Sequence, residues 1–333
     1  MKNKKFSFNP YAHFTQPNFK FAQKGKWYTI IPLAIILIGV FVISVWGLNL
    51  GLDFTGGTII KVDGIANATE YDTIKDKTEQ VLGDNDVTTT QFQRVDSNSG
   101  GISLEVRYQN VSGIADMAAH NTAILTELKS AIGSGYNVEI STISASTSGE
   151  NLFNTFMVII GALLGMMLYM LIRFKTTSGI ACFIALFHDI LVMVAFVAIF
   201  RIQINASFIA AAVTVVGYSI NNTLVLFDRI RENEKHNNMN ESVEMLTDRS
   251  VRETFNRQMN TVLTTLIPVF VLCIAGVSLI REFALPIMFG LLAGIPGTLF
   301  ITTSLYVRFE KSKAVAKKLK ENKLLKTANK TID

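Results

Sequence analysis

Apolar residues along this chain are clumped rather than scattered, and six clumps are long: near 27–48, 152–172, 179–200, 207–227, 259–280 and 283–306. Crossing the ~30 Å hydrocarbon core of a bilayer takes roughly 20 helical residues. Each clump meets that length, so the pattern predicts an α-helical polytopic membrane protein with six transmembrane helices. The first clump follows a basic segment, as a signal peptide would. Its apolar run is too long for an h-region and no small-residue cleavage site follows, so it is expected to be an uncleaved anchor.

Between the first two clumps, residues 49–150 change character. A strand is expected at 57–63, then a helix at 69–83, where Tyr71, Ile74, Thr78, Val81 and Leu82 recur at helical spacing. Strands follow at 87–95 and 101–109, joined by the turn-rich DSNSG. A helix at 113–131, ending before Gly133 and Gly135, and a strand at 136–144 complete the set. The order β-α-β-β-α-β is that of a ferredoxin-like α+β domain. Six elements alternating in direction return the chain to the face it left, where the second span begins.

Charge adds orientation. The first 26 residues carry six Lys/Arg, the turn at 173–178 two, the 228–258 segment six and the tail after Tyr306 nine, against one each at Arg201 and Arg281. Positive residues mark the cytoplasmic side. The reading is therefore a cytoplasmic basic N-terminus (1–26), an extracytoplasmic domain (49–150), a five-helix bundle (151–306) and a basic cytoplasmic tail (307–333). The outer domain has fourteen Asp/Glu against six Lys/Arg, so it is acidic while the chain as a whole is +5. That surplus reports topology and contact with anionic lipid or a ribosomal or translocon surface, not nucleic acid. Segment 240–256, with Val243, Leu246 and Val251 among charges, is expected to be an amphipathic helix along the inner leaflet. Cys182 and Cys273 lie within spans and suggest no disulfide, and His120 has no Cys or second His at ligand spacing, so no metal site is expected.

Polar groups inside the spans carry the candidate chemistry. An ionisable side chain at mid-bilayer costs about 2.5–3.5 kcal/mol on insertion scales. His188 and Asp189 sit near the middle of the third span, either as a paired polar group fixing helix contacts or as a titratable member of an ion path. The fourth span places Ser219, Asn222 and Leu226 on one stripe, with Asn221 adjacent and Tyr218 one turn before Asn222. An interhelical amide bond contributes only ~0.6–2 kcal/mol, so helix glue is the plain reading there. Arg257, at the start of the fifth span, reads as a snorkelling arginine. Asp228, Arg229, Arg231 and Glu232 read as a mutually paired rim. GALLG at 161–165 and GLLAG at 290–294 are small-xxx-small patterns for close packing, while Pro286, Pro296 and GIPG at 294–297 suggest kinks. The glycine-rich GLNLGLDFTGGT at 47–58 lacks the Lys-Ser/Thr of a phosphate loop and reads as a tight exit from the membrane.

Several of these stretches together are specific. GLDFTGGT after the first span, IRFK at 172–175, ALFHDILV at 185–192, GYSINNT at 217–223, FDRIREN at 227–233, RQMNTVLTT at 257–265 and REFALPIMFG at 281–290 resemble the SecD/SecF family, and the SecF type within it. The likeness singles out Gly51, Asp53, Phe54, Gly56, Gly57, Asp228 and Arg229 as motif residues. It implies a member of the resistance-nodulation-division superfamily in a bacterial cytoplasmic membrane, with both termini inside. Its implied partners are SecD, the SecY/SecE/SecG translocon, a membrane insertase, lipid and a translocating unfolded polypeptide. It implies no enzyme activity and no cofactor, with an H+ or Na+ gradient as the energy source. In the family, the position after Ile-Asn in GYSIND is an aspartate taken to carry the proton, and Arg257 matches an arginine that pairs with it. Here that position is Asn222, and an amide does not titrate near neutral pH. Three readings stand: SecD supplies the titrating carboxylate, sodium replaces the proton with Asp189 supplying charge, or coupling is lost. The last would leave a structural subunit that scaffolds the translocon without pumping.

Overall fold

In the computed structural model the described residues are 11, 20–87, 90–96, 101–109, 117–143, 145–236, 241–276 and 278–330. Most of the basic N-terminal segment, the turn at 97–100, and the expected helix start at 113–116 lie outside them.

Helix α1 (Phe21–Trp46) leads into a single helical turn, α2 (Leu52–Thr55), and then into the domain. There β1 (Gly57–Ile65), α3 (Ala68–Asp84), β2 (Thr90–Asp96), β3 (Ile102–Tyr108), α4 (Met117–Ile132) and β4 (Asn137–Ile143) follow in the expected order. The sheet is antiparallel throughout, ordered β2-β3-β1-β4, which is the ferredoxin-like arrangement. Alternation dictates its two faces. Ile60, Val62, Leu104 and Val106 point inward to meet Ile74 and Leu82 of α3 and Ile124 and Leu128 of α4. The five α3 positions spaced for burial are the five that are buried. One polar tie crosses this core: Asn121 donates to Thr58 and Thr142 at 3.0 Å each and accepts from the Tyr108 hydroxyl at 3.0 Å.

The bundle comprises α5 (Ala145–Arg173), α6 (Thr176–Ile199), α7 (Ala206–Lys235), α8 (Val243–Ala275), α9 (Ser278–Pro296), a π-helical stretch at Gly297–Thr302, and α10 (Thr303–Lys330). With α1, six helical segments are long and apolar enough to cross a membrane. α6, α7 and the α9–α10 segment are the most enclosed, and α1, α5 and α8 flank them. The π stretch begins directly after Pro296, where the ring removes a backbone donor and the ladder must re-register.

Two expectations are corrected. Segment 240–256 is not a separate helix on the leaflet, because α8 is capped by Ser242 and runs unbroken into the fifth apolar stretch. Its apolar side has protein to cover: Phe255 packs on Phe21, and buried Asp248 accepts from Ala22 N at 2.9 Å, fastening the start of α1. The GALLG glycines do not bring helices together within this chain, since a Cβ at Gly161 or Gly165 would meet nothing within 4 Å. GLLAG does: a Cβ at Gly290 would lie 2.6 Å from Val215 Cγ1, so α9 rides directly on α7.

Candidate functional site

Asp189 is only 1% exposed, enclosed by three elements. From α6 itself, His188 Nδ1 lies 3.0 Å from its Oδ1; from α7, the Ser219 hydroxyl donates to its Oδ2. The third wall is backbone. A Cβ at Gly297 would overlap Oδ1 and sit 3.0 Å from the carboxyl carbon, and one at Gly294 would lie 3.7 Å from Oδ2. Glycine at 294 and 297 is thus what lets a carboxylate fit against the Pro296 break. Asp189 is also the one acid in any of the six predicted spans. His188 Nε2 is buried with no hydrogen-bond partner among the described residues.

Asn222 lies one turn beyond Ser219 on the same buried stripe. It faces a cavity of about 10 Å³ lined also by Gln258, Val262, Gly294 and Thr298. That is about the room one water molecule occupies. Thr223 and Thr298 hydroxyls meet beside it at 3.3 Å, and Gln258 Nε2 donates to Thr254 Oγ1 at 3.0 Å. Thr254 in turn lines a second cavity, about 360 Å³, with Asp228, Arg229, Glu232, Glu253 and Arg257. Arg257 therefore opens onto this cavity, and among the described residues no ion pair joins it to a carboxylate. The rim is paired as read: Arg229 bonds Glu232 and Glu253 at 2.6 Å each, and Asp228 takes Arg231 and Arg173 at 3.3 Å each. Thr254, Gln258 and Thr298 were not singled out from sequence, and Gly297 only as part of the GIPG kink. The i, i+4 spacing of Thr254 and Gln258, just before an apolar run, was the available signal.

Neighbours on α7 part company. Asn222 and Ser219 face inward, whereas Asn221 and Tyr218 face out with Thr214 and Gly217 along a shallow groove. The glycine-rich motif has a separate task at the domain end. Gly51 N donates to Ile204 O at 2.7 Å and Ile204 N to Asn49 O at 2.8 Å, a short parallel bridge between the domain's stem and the α6–α7 loop. Asp53 Oδ2 accepts from Ala206 N at 2.9 Å, at the positive end of α7. Phe54 is buried beneath it. At Gly56 φ is +74°, and a Cβ at Gly57 would lie 2.5 Å from Tyr108 O, so both positions require glycine.

A sequence profile described as the C-terminal part of protein export membrane protein SecD/SecF matches residues 123–312, and one for the SecD/SecF GG motif matches 41–63. The chain belongs to the SecD/SecF family. SecF of Sebaldella termitidis is 30% identical over 94% of this chain and 99% of its own length, and SecF of Petrotoga mobilis is 29% identical over 91% and 99%. SecDF of Bacillus subtilis is 32% identical over 91% of this chain, which spans only 40% of that longer protein. The crystal structure of SecDF from Thermus thermophilus, titled a translocon-associated membrane protein, superposes with a TM-score of 0.71 at 25% identity. That match covers 89% of this chain and 39% of the SecDF chain. Within that matched region, the buried stripe of α7 carries Ser219 and Asn222, and Ser219 joins it to Asp189 of α6.

Proposed function

We propose that this chain is a SecF-type accessory subunit of Sec protein export, working beside a SecD-type subunit in a bacterial cytoplasmic membrane. The basic end of the bundle faces the cytoplasm and the acidic domain lies outside. The outward line Thr214, Gly217, Tyr218 and Asn221 carries this reading. A primary amide turned toward lipid leaves its polar groups unsatisfied, so the line calls for a second helix that packs and bonds along α7. Relatives that carry the matching part as two-fifths of a longer SecDF chain supply a companion of suitable size.

Energy comes from the proton motive force. One charge crossing the membrane yields ~2.3 kcal/mol per 100 mV, and inverting a two-state equilibrium from 1:99 to 99:1 takes about 5.5 kcal/mol. One or two ions per cycle are on the scale needed to swing the outer domain and bias an emerging unfolded polypeptide outward through the SecY/SecE/SecG channel. The test is co-purification of the SecD-type subunit together with export of a precursor. Gly217→Trp should disrupt both, and retention of the companion at full yield would refute pairing through α7.

Asn222 favours a second reading, a non-pumping subunit that scaffolds the translocon. The two part on one measurement. A scaffold leaves export unchanged by uncoupler and by Asp189→Asn; a driven subunit loses export in both.

A further inference from the structure

Building on the reading of the outer domain as the working part of an export subunit, we infer that Arg201 is a positioning residue. It fastens the stem of that domain, the segment between α1 and β1, to the outer end of α6.

The backbone singles the residue out. α6 ends at Ile199, and the chain then closes with Arg201 N donating to Ala198 O at 3.2 Å and Ile202 N to Val197 O at 2.9 Å. Such a paired cap turns on one left-handed residue, and glycine is the usual occupant because a Cβ is disfavoured there. Here that residue is arginine, with φ at +53°. Among the described residues other than glycine only Asp86 shares this conformation, and aspartate tolerates it. A strained backbone held by a bulky side chain points to what that side chain does.

Arg201 reaches across to the end of α1. Its Nη1 donates to Gly47 O at 2.6 Å and to Trp46 O at 3.3 Å. Those carbonyls stand at the negative end of a helix that has no basic residue in its own last turn, so the cation comes from another helix. In return, Arg201 O accepts from Asn49 Nδ2 at 2.8 Å. One residue thus holds the stem by both its side chain and its carbonyl, next to the Gly51–Ile204 and Ile204–Asn49 backbone bonds. Glycine at 201 would suit the turn and leave the α1 carbonyls without their cation. The arginine side is exposed to water, so salt weakens the clasp.

The test is hydrogen–deuterium exchange on the full chain with its SecD-type subunit in liposomes, read at the Ile204 and Gly51 amides that make the bridge. Arg201→Gly removes the arm and relieves the left-handed backbone. Both amides should then exchange roughly tenfold faster, as loss of a charge-assisted bond implies, while the unfolding midpoint is not lowered. Precursor export by the same liposomes should fall with them. Arg201→Lys returns a cation within reach of Gly47 O and should restore slow exchange and most of the export, a rescue that a merely structural turn would not show. Unaltered exchange in Arg201→Gly overturns the fastening. Faster exchange with undiminished export overturns the positioning role, and so does a lysine variant no better than the glycine one. The expected exchange pattern in liposomes whose export gains nothing from the wild-type subunit would count against the Sec reading and leave the fastening in place.

Discussion

Replacing Gly297 by alanine probes one of the tightest approaches in the bundle. The added methyl would overlap Asp189 Oδ1 and stand 3.0 Å from Cγ and 3.1 Å from Oδ2. Those atoms cannot retreat, because His188 and Ser219 hold both oxygens and the side chain is 1% exposed. Overfilling a packed interior in this way costs about 1–3 kcal/mol. Gly161→Ala is the control, since its methyl meets nothing within 4 Å and helix propensity gains up to about 1 kcal/mol. The assay is reversible unfolding of the full chain in mixed micelles, run as a double-mutant cycle with Asp189→Ala. Removing the carboxylate removes the obstacle, so Gly297→Ala should then cost nearly nothing, a coupling of at least 1 kcal/mol. Costs that simply add, within the ~0.3–0.5 kcal/mol typical of independent sites, would refute the packing argument.

Three further outcomes concern the domain and its stem. Asn121→Ala removes the amide that bonds the Thr58, Tyr108 and Thr142 hydroxyls and should cost about 1–3 kcal/mol in denaturant unfolding followed by domain fluorescence; an effect below ~0.5 kcal/mol would show the tie to be dispensable. Asp53→Ala leaves Ala206 N without its acceptor while the Asn205 cap stays in place, and should cost ~0.3–1 kcal/mol, read as faster amide exchange confined to the first turn of α7. Glu70 is held below the usual carboxylate range by the Tyr136 hydroxyl and by the Ala66 amide. Its folded pKa lies under its unfolded one, so its contribution is full above the ordinary glutamate range and fades as pH falls through the lowered value. Glu70→Gln should flatten the acid limb of a stability–pH curve, and an unchanged limb would assign acid sensitivity elsewhere.

Local periodicity was sufficient for the elements. Tyr71, Ile74, Thr78, Val81 and Leu82 announce both a helix and the side it buries, and strand alternation assigns the inner face of the sheet. It was silent on partners far along the chain. Nothing near Gly51 points to Ile204, and nothing near Asp248 points to Ala22, because such bonds depend on how helices assemble. Glycine pairs show the same limit: 161/165 and 290/294 look alike as text, yet only the second pair meets a neighbouring helix. The Asn221–Asn222 doublet was legible as unusual, but which amide turned inward depended on the rotation of α7 against α9. The unbroken α8 was missed because charged residues before 258 suggested an interface, when their apolar companions had α1 to cover.

One junction has mechanical weight. The Gly51–Ile204, Ile204–Asn49 and Ala206–Asp53 bonds fasten the stem between α1 and β1 to the loop that joins α6 and α7. A displacement of α7 along its axis is therefore carried to that stem through three hydrogen bonds, where a slack tether would dissipate it.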